Sequence, residues 1–359
     1  MSVLLLRPAD LQGLVAMADA IEVIEQGYRE AAGFPVINAP RRRVHSPAGV
    51  RVSNFPGGVH GLGVIGAQTR AELVAQTETN QSYGFRGPPV HVLSDSTTGE
   101  LLAILIGEID EKTLGPTSLM AFRTAAASGV GFRHLVREDA RVAGLFGSAG
   151  QAANQLLALL TVRDIARVKV YSRDPQNRRR FADRYGARFG ARFGVEIEPV
   201  GSPRDAVEGV DAVVVATNTN VPVFDGDWLA PGQHVTGIIG SNIQLVHGGF
   251  LKRRRREIDD RTAERADVIV ANLRESVLSE QQGDLFEPIE RGLIRAEDIL
   301  DLGDVAAGNA PGRTARDQIT YHKNNNGTGA SELALAGLAY RLARAAGRGV
   351  EIDLEPVTA

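Results

Sequence analysis

The chain has 359 residues, and 40 Lys plus Arg against 43 Asp plus Glu give a formal charge of −3 at pH 7. At about 150 residues per domain this is room for two domains, and the balanced charge (pI ≈ 6.2) gives no global pull toward nucleic acid or an anionic membrane. The absence of cysteine excludes disulfides, thiolate metal sites, iron–sulfur clusters and a cysteine nucleophile. The opening, MSVLLLRPADLQGLVAMADAIEVIEQGYREAAG, has no basic stretch ahead of its short apolar run. It reads as a strand over 3–6 and an amphipathic helix over 10–31, not as a signal peptide. No stretch reaches the roughly 18 apolar residues of a membrane span, so a soluble, cytoplasmic protein is expected.

Between about residues 36 and 106 the segments VRVSNF, LGVIGAQT, VHVLSD and LLAILIG are separated by PAG, PGG, RGPP and STTGE. Short strands between Gly/Pro turns predict a mainly antiparallel sheet, with a hairpin turn around Thr98 and Gly99. Beyond residue 118 the rhythm changes. Strands are expected at 141–147, 167–172, 195–200, 210–217, 234–239 and 267–272. Between them lie helices at 151–160, in PQNRRRFADRYG and near 203–209. This alternation predicts parallel βαβ units and a doubly wound sheet. The tandem echo GARFGARFG (186–194) is too short for a solenoid and falls on or after a surface helix. The run KRRRRE (252–257), beside Asp259 and Asp260, reads as a solvated helix end. The alanine-rich segment 330–347 is a helix that folds back on the first unit. The expected fold class is α/β: a Rossmann-type doubly wound parallel sheet domain over 119–319, and a discontinuous α+β domain over 1–118 and 320–359.

GLFGSAGQAANQLLALL follows a strand and opens a helix. Gly147 supplies the tight turn, Ala149 or Gly150 lets the backbone approach a diphosphate, and the free amides of the helix start face it. The pattern departs from G-x-G-x-x-G at Ala149, and only its strand–turn–helix setting makes it a dinucleotide site. The next strand ends in Ser172 and Arg173, with Asp174 one step on and Arg178 nearby. An arginine there pairs with a 2′-phosphate, which favours NADP, while Asp174 leaves NAD open. Thr217, Asn218 and Asn220 follow another strand, where they contact the nicotinamide ribose or simply make a turn.

Arginines suited to grip a carboxylate are Arg41 and Arg43, which share a face if APRRRVH is a strand, then Arg70, and above all Arg123 in FRTAAASGVG. Small and apolar neighbours make an unpaired guanidinium costly at Arg123, which marks it as functional. Thr124 beside it reaches a cofactor phosphate. The seven histidines lack paired metal-ligand spacing and no G-x-S-x-G elbow occurs, which argues against metal-dependent or serine hydrolysis.

These segments, together with PGQHVTGIIGS and GTGASELALAGLAY, in this order and spacing, resemble the ornithine cyclodeaminase/mu-crystallin family over almost the whole chain. The resemblance implies a homodimer whose discontinuous domain supplies dimerisation and substrate contacts and whose Rossmann domain binds NADP or NAD. It implies chemistry through the imine of a small carboxylate-bearing amino, imino or keto acid. It places the carboxylate-binding arginines near Arg41 or Arg43 and at Arg123. The dinucleotide loop becomes Gly147, Ser148, Ala149, Gly150 and Gln151, with Thr124 on a phosphate and Ser241 among the cofactor contacts.

Two positions depart from the family. Ile65 stands where it often has a lysine, leaving Gln68 and Arg70 as the nearest polar groups, and Ser241-Asn242 replace an aspartate. A cyclodeaminase needs a proton relay that neither isoleucine nor asparagine provides. The expected activity is therefore reversible NAD(P)-dependent reduction of a C=N bond in a small 2-imino acid or cyclic ketimine. The alternatives are a non-catalytic nucleotide binder, or a cyclodeaminase of altered mechanism. In YHKNNNGTG, Tyr321, His322 and Lys323 supply the missing acid or belong to a capping turn before the last helix.

Overall fold

The computed structural model describes residues 2–324 and 329–354. The NNGT part of the expected capping turn (325–328) and the last five residues lie outside the described residues. The first strand, β1 (Ser2–Leu6), is followed by α1 (Met17–Gly33), a later start than the periodicity suggests. A 3-10 turn at Pro8–Leu11 and a left-handed Gly13 (φ +68°) redirect the chain first, so Leu11 and Val15 reach the core from outside the helix.

Next come β2 (Arg42–His45), β3 (Val50–Val59), β4 (Val64–Gln76), β5 (Gln81–Arg86), β6 (Val90–Asp95) and β7 (Leu101–Ile106). They form an antiparallel run with the path β7-β6-β4-β3-β2, and β5 pairs off β4. Alternation along these strands sorts residues cleanly. Arg51, Ser53 and Phe55 on β3, with Gln68, Arg70 and Glu72 on β4, are buried on the inner face. Val50, Ile65, Leu73, Phe85 and Val92 are exposed on the outer face.

A ribbon of β8 (Glu108–Glu111) and β9 (Gly115–Ser118) leads into α2 (Leu119–Leu135), whose first turn is capped by the Ser118 hydroxyl accepting from the Ala121 amide. The second sheet is wholly parallel. It begins with β10 (Val142–Phe146), α3 (Gly150–Val162), β11 (Arg167–Tyr171), α4 (Pro175–Phe193) and β12 (Glu196–Pro199). Both GARF repeats lie on α4. Then come β13 (Ala212–Val215), β14 (His234–Gly237), α5 (Ile243–His247), α6 (Asp260–Arg265) and β15 (Val268–Ala271). After α7 (Arg274–Ser279) and α8 (Gly283–Glu290) the chain forms β16 (Ile299–Asp301), α9 (Leu302–Ala307) and β17 (Thr320–Lys323). The order is β12-β11-β10-β13-β14-β17-β15-β16. Chain order reverses between β10 and β13, the crevice where ligands of such sheets bind.

Two expectations need correction here. A boundary at 320 places Thr320–Lys323 with the first unit, and 321–323 read there as a source of acid or as part of a capping turn; they form a central strand of the second sheet, buried on both faces. Turn propensity in the following asparagines masked a Thr-Tyr-His run that finds partners above and below the sheet. The basic run is not helical, and only its start is solvated: Lys252 and Arg253 are exposed, whereas Arg255 and Arg256 are 8% exposed and Glu257 is fully buried.

The last helix, α10 (Gly329–Ala345), packs on α1, β3 and β4, and β18 (Val350–Asp353) pairs antiparallel with β1. Leu6, Ile24, Phe122, Leu157 and Leu333 meet in one fully buried core, each contributing about 1.5–3 kcal/mol. That core fixes α2, the carrier of Arg123, between the sheets. Ser118→Ala is expected to lower stability by about 1 kcal/mol, read as a lower urea midpoint with an unchanged slope.

Candidate active site between the two sheets

The parallel sheet offers a phosphate cradle at its switch point. Gly147 leaves β10 with φ +112°, and a Cβ there would stand 2.2 Å from the Ala216 carbonyl oxygen after β13. No other residue fits so close to that strand end. Ala149 precedes α3 without a side-chain cap, whereas Ser118, Asp174 and Asp259 cap α2, α4 and α6. Ser148, Ala149 and Gly150 therefore present the positive end of α3 to a groove of about 630 Å³, walled by Asn177, Arg180, Phe181 and Arg184 of α4. A smaller cavity of about 300 Å³ lies at the opposite end of α3, around Leu160–Ile165, away from every polar cluster described below.

At the tip of β11, Asp174 spends its carboxylate on the Gln176 and Asn177 amides at the start of α4. Arg178 donates to the Ser172 carbonyl and lies over the Tyr171 ring. Arg173 is exposed and makes no ion pair among the described residues.

The inner face of the antiparallel sheet is polar. Arg123 is fully buried, its Nε 2.9 Å and Nη2 2.7 Å from Glu332 Oε1 on α10, while His91 Nε2 stands 3.4 Å from Glu332 Oε2. Burial favours the neutral acid, but Arg123 and His91 outweigh it and hold the Glu332 carboxyl below its ordinary range. Gln68 stands directly opposite His91, and both atoms of its buried amide lack a partner among the described residues, as do His91 Nδ1 and Arg123 Nη1. Such orphans are costly unless a ligand or water meets them. Arg70 donates to the Gly87 carbonyl and approaches Met120 Sδ and Glu72.

A clasp holds the two sheets together. The turn between β4 and β5 bridges to the loop after β13: Asn80 pairs with Thr219, the Gln81 amide donates to the Asn218 carbonyl, and Asn218 Nδ2 donates to the Gln81 carbonyl. On the other side Arg41 grips Glu280 at 2.7 Å, and Arg43 Nη1 donates to the Ser241 carbonyl at 2.7 Å.

Beneath the clasp lies a second buried network. Glu257 accepts from the Ile238 and Ile239 amides and from Thr217 Oγ1. Lys323 Nζ pairs with Asp284 at 2.5 Å and donates to the Ile239 carbonyl, and Asp284 accepts from the Glu257 and Ile258 amides. Burial, reinforced by Asp284 and opposed by Lys323, pushes the Glu257 carboxyl up to about 7.

A family model described as Ornithine cyclodeaminase/mu-crystallin family matches residues 3–340. The chain belongs to this family. A putative dehydrogenase of Rhizobium meliloti is 31% identical over 97% of the chain and 98% of its own length. An iminosuccinate reductase of Paracoccus denitrificans is 26% identical over 96% and 98%. The structure of Thermococcus litoralis Δ1-pyrroline-2-carboxylate reductase with NADH and L-proline superposes with a TM-score of 0.79 at 26% identity, covering 97% of this chain and 99% of that one.

Within the family frame, several sequence expectations change. His322 does not reach the cleft: it packs against Gly131 of α2, contacts Asn272 through Nε2, and burial followed by the Lys323 charge lowers it to about 3. Lys323 points to the opposite face and is consumed by Asp284. Ile65 lies on the outer face, so its side chain does not stand where a cleft lysine would; the inward polar residue of that strand stretch is Gln68. Thr124 gives its hydroxyl to the Met120 carbonyl, and Ser241 gives its own to the Glu280 carbonyl. Both have structural duties as they stand. Gln151, at the start of α3, is partly buried with Oε1 unpartnered among the described residues.

Glu332, His91, Glu72, Glu280 and Glu257 were missed. Alternate polar residues at 68, 70 and 72 hinted at the inner face, but nothing local in RREID separates a buried glutamate from a solvated one. Because Glu257 keeps its proton to higher pH folded than at its ordinary 4.5, its contribution to stability falls as pH rises from 4.5 toward 7 and is flat above. Glu257→Gln is expected to remove that slope, read by urea denaturation in this pH window against the parent protein.

Proposed function

We propose that this protein reduces C=N bonds of small carboxylate-bearing substrates, 2-imino acids or cyclic ketimines, with a reduced nicotinamide dinucleotide, reversibly. One juxtaposition supports the reading most. The clasp holds the uncapped, exposed start of α3 and the C-terminal edge of the parallel sheet against an inner sheet face where Gln68 and His91, with Arg123 of α2 joined to His91 through Glu332, keep polar atoms unpartnered among the described residues. The 147–150 loop suits the diphosphate. Bound there, the dinucleotide supplies the hydride.

The chain's own residues bind and orient. Arg123 of α2, fixed by Glu332, presents Nη1 to a carboxylate, with Gln68 and Arg70 on the inner face of the antiparallel sheet. A protonated imine is already electrophilic, so the reaction makes little demand on a side-chain acid. This fits a site whose one lysine, Lys323, is locked in a buried pair. A lysine so engaged speaks against cyclodeaminase chemistry that needs a free one.

NADP is the favoured cofactor. Arg173 is exposed at the β11 tip, and Asp174, the acid that would favour NAD, is engaged as a helix cap. The protein works as a homodimer in this reading, with the apolar outer face of the antiparallel sheet buried against a second copy. Val44 and Phe85 on that face are 66% and 63% exposed. Replacing both with glutamate is expected to shift sedimentation from dimer to monomer.

The central test follows consumption of the reduced cofactor with cyclic imines and with 2-oxo acids plus ammonia. Turnover supports the reductase, and saturable cofactor binding without turnover sinks it. Arg173→Asp is expected to weaken NADPH binding about tenfold or more, as loss of a charge-assisted phosphate contact would, with little effect on NADH. Equal losses for both cofactors would show that Arg173 lies outside the ribose pocket.

A further inference from the structure

The names of the relatives leave two substrate shapes open, a cyclic acid with one carboxylate and an open-chain acid with two. Charge between the sheets separates them. Six buried guanidiniums, those of Arg41, Arg43, Arg51, Arg70, Arg123 and Arg255, line the interface, against three buried carboxylates, those of Glu72, Glu280 and Glu332. Glu72 is already shared by Arg51, Arg70 and the half-exposed Arg86, and Glu280 by Arg41 and Arg43. Glu257, which interacts with Arg255, has its carboxyl pushed up to about 7 by burial. Lys323 and Asp284 cancel one another.

The excess is concentrated away from Arg123. Gln81 Oε1, a neutral oxygen, accepts from both Arg51 and Arg255, at 3.4 and 3.3 Å. Arg43 ends on the Ser241 carbonyl and the Ser53 hydroxyl, and Arg255 Nε on the Thr219 carbonyl. Burial first, then the neighbouring Arg41 and Arg51, hold Arg43 well below its ordinary pKa, and Glu280, 3.9 Å away and shared with Arg41, offsets this only in part. A buried guanidinium without an anion is unfavourable, and a bidentate carboxylate relieves it.

The register gives the span. Arg43, Ser53 and Arg70 stand opposite one another on β2, β3 and β4. Arg51 and Glu72 form the row on one side, and Phe55, Gln68 and His91 the row on the other. Strands lie about 4.8 Å apart, so Arg43 and Arg70 rise from backbones about 10 Å apart. Two forks reaching inward from that separation suit the ends of a four- or five-carbon diacid.

We infer that the substrate is a 2-imino dicarboxylic acid, its 2-carboxylate held by Arg123 with Gln68 and Arg70, and its distal carboxylate by Arg43 and Arg51. This rests on the reductase reading above. A hydride added to C2 and a proton added to nitrogen convert C=N to CH–NH, and both carboxylates leave unchanged.

The test compares kcat/KM, with ammonia and reduced cofactor, for pyruvate and 2-oxobutyrate, for oxaloacetate and 2-oxoglutarate, and for Δ1-pyrroline-2-carboxylate alone. The better diacid is expected to exceed every monoacid at least tenfold. Arg43→Gln is expected to cut the diacid-to-monoacid ratio tenfold or more, with a fluorescence titration of the bound cofactor confirming that the variant is folded. Monoacids or the cyclic imine turned over as well as diacids by the parent protein would overturn the inference and leave the reductase standing. Turnover of no acid by a protein that still binds cofactor would remove both.

Discussion

Guanidinium groups buried between two sheets are the constraint on which this molecule turns. An arginine side chain stays charged inside protein, so each one withdrawn from water must find an anion or a carbonyl. Arg41 and Arg43 reach across to Glu280 and the Ser241 carbonyl, and Arg255 reaches back to Thr219 and Gln81. The antiparallel sheet supplies Arg41 and Arg43 from its side of the junction, and the parallel unit answers with Glu280 and loop oxygens and adds Arg255 as a cation of its own. Their mutual need holds the two units in register and leaves a positively charged cleft between them.

The division of labour follows from the two sheet types. A parallel sheet gathers its loops at the C-terminal edge, where β10 hands over to an uncapped α3, and this is where a dinucleotide's phosphates are best received. An antiparallel sheet is amphipathic by alternation, and here the alternation runs from an apolar outer face, with Val44 and Phe85, to a charged inner one, with Arg51, Arg70 and Glu72. The inner face is then closed by α2 and α10, which bring Arg123 and Glu332 together although 209 residues separate them in the chain.

Much of this was legible beforehand. The βαβ rhythm, the strand–GSAG–helix turn and the singular position of Arg123 among small residues are local features, and each matches a local structure. Misreadings fell where a short segment carried polar letters into a buried place. Thr320–Lys323 looks like the start of a turn because asparagines follow it, yet its place between β14 and β15 makes it core. The run ending in Glu257 looks like a solvated helix end because four of its neighbours are arginines. Its burial depends on Asp284, Thr217 and Lys323, none of them nearby in sequence.

What the amino-acid order determined by itself was periodicity: which stretches pair as strands, which wind as helices, and where glycine lets the chain turn onto a phosphate. These depend on neighbours within a few residues. Tertiary structure alone decided which charges face one another. It paired Lys323 with Asp284 and His322 with Asn272, left the Gln68 amide without a partner among the described residues, and set more guanidiniums than carboxylates between the sheets. Electrostatics in a low-dielectric interior acts through space and depends on burial, and a linear sequence states neither distance nor depth.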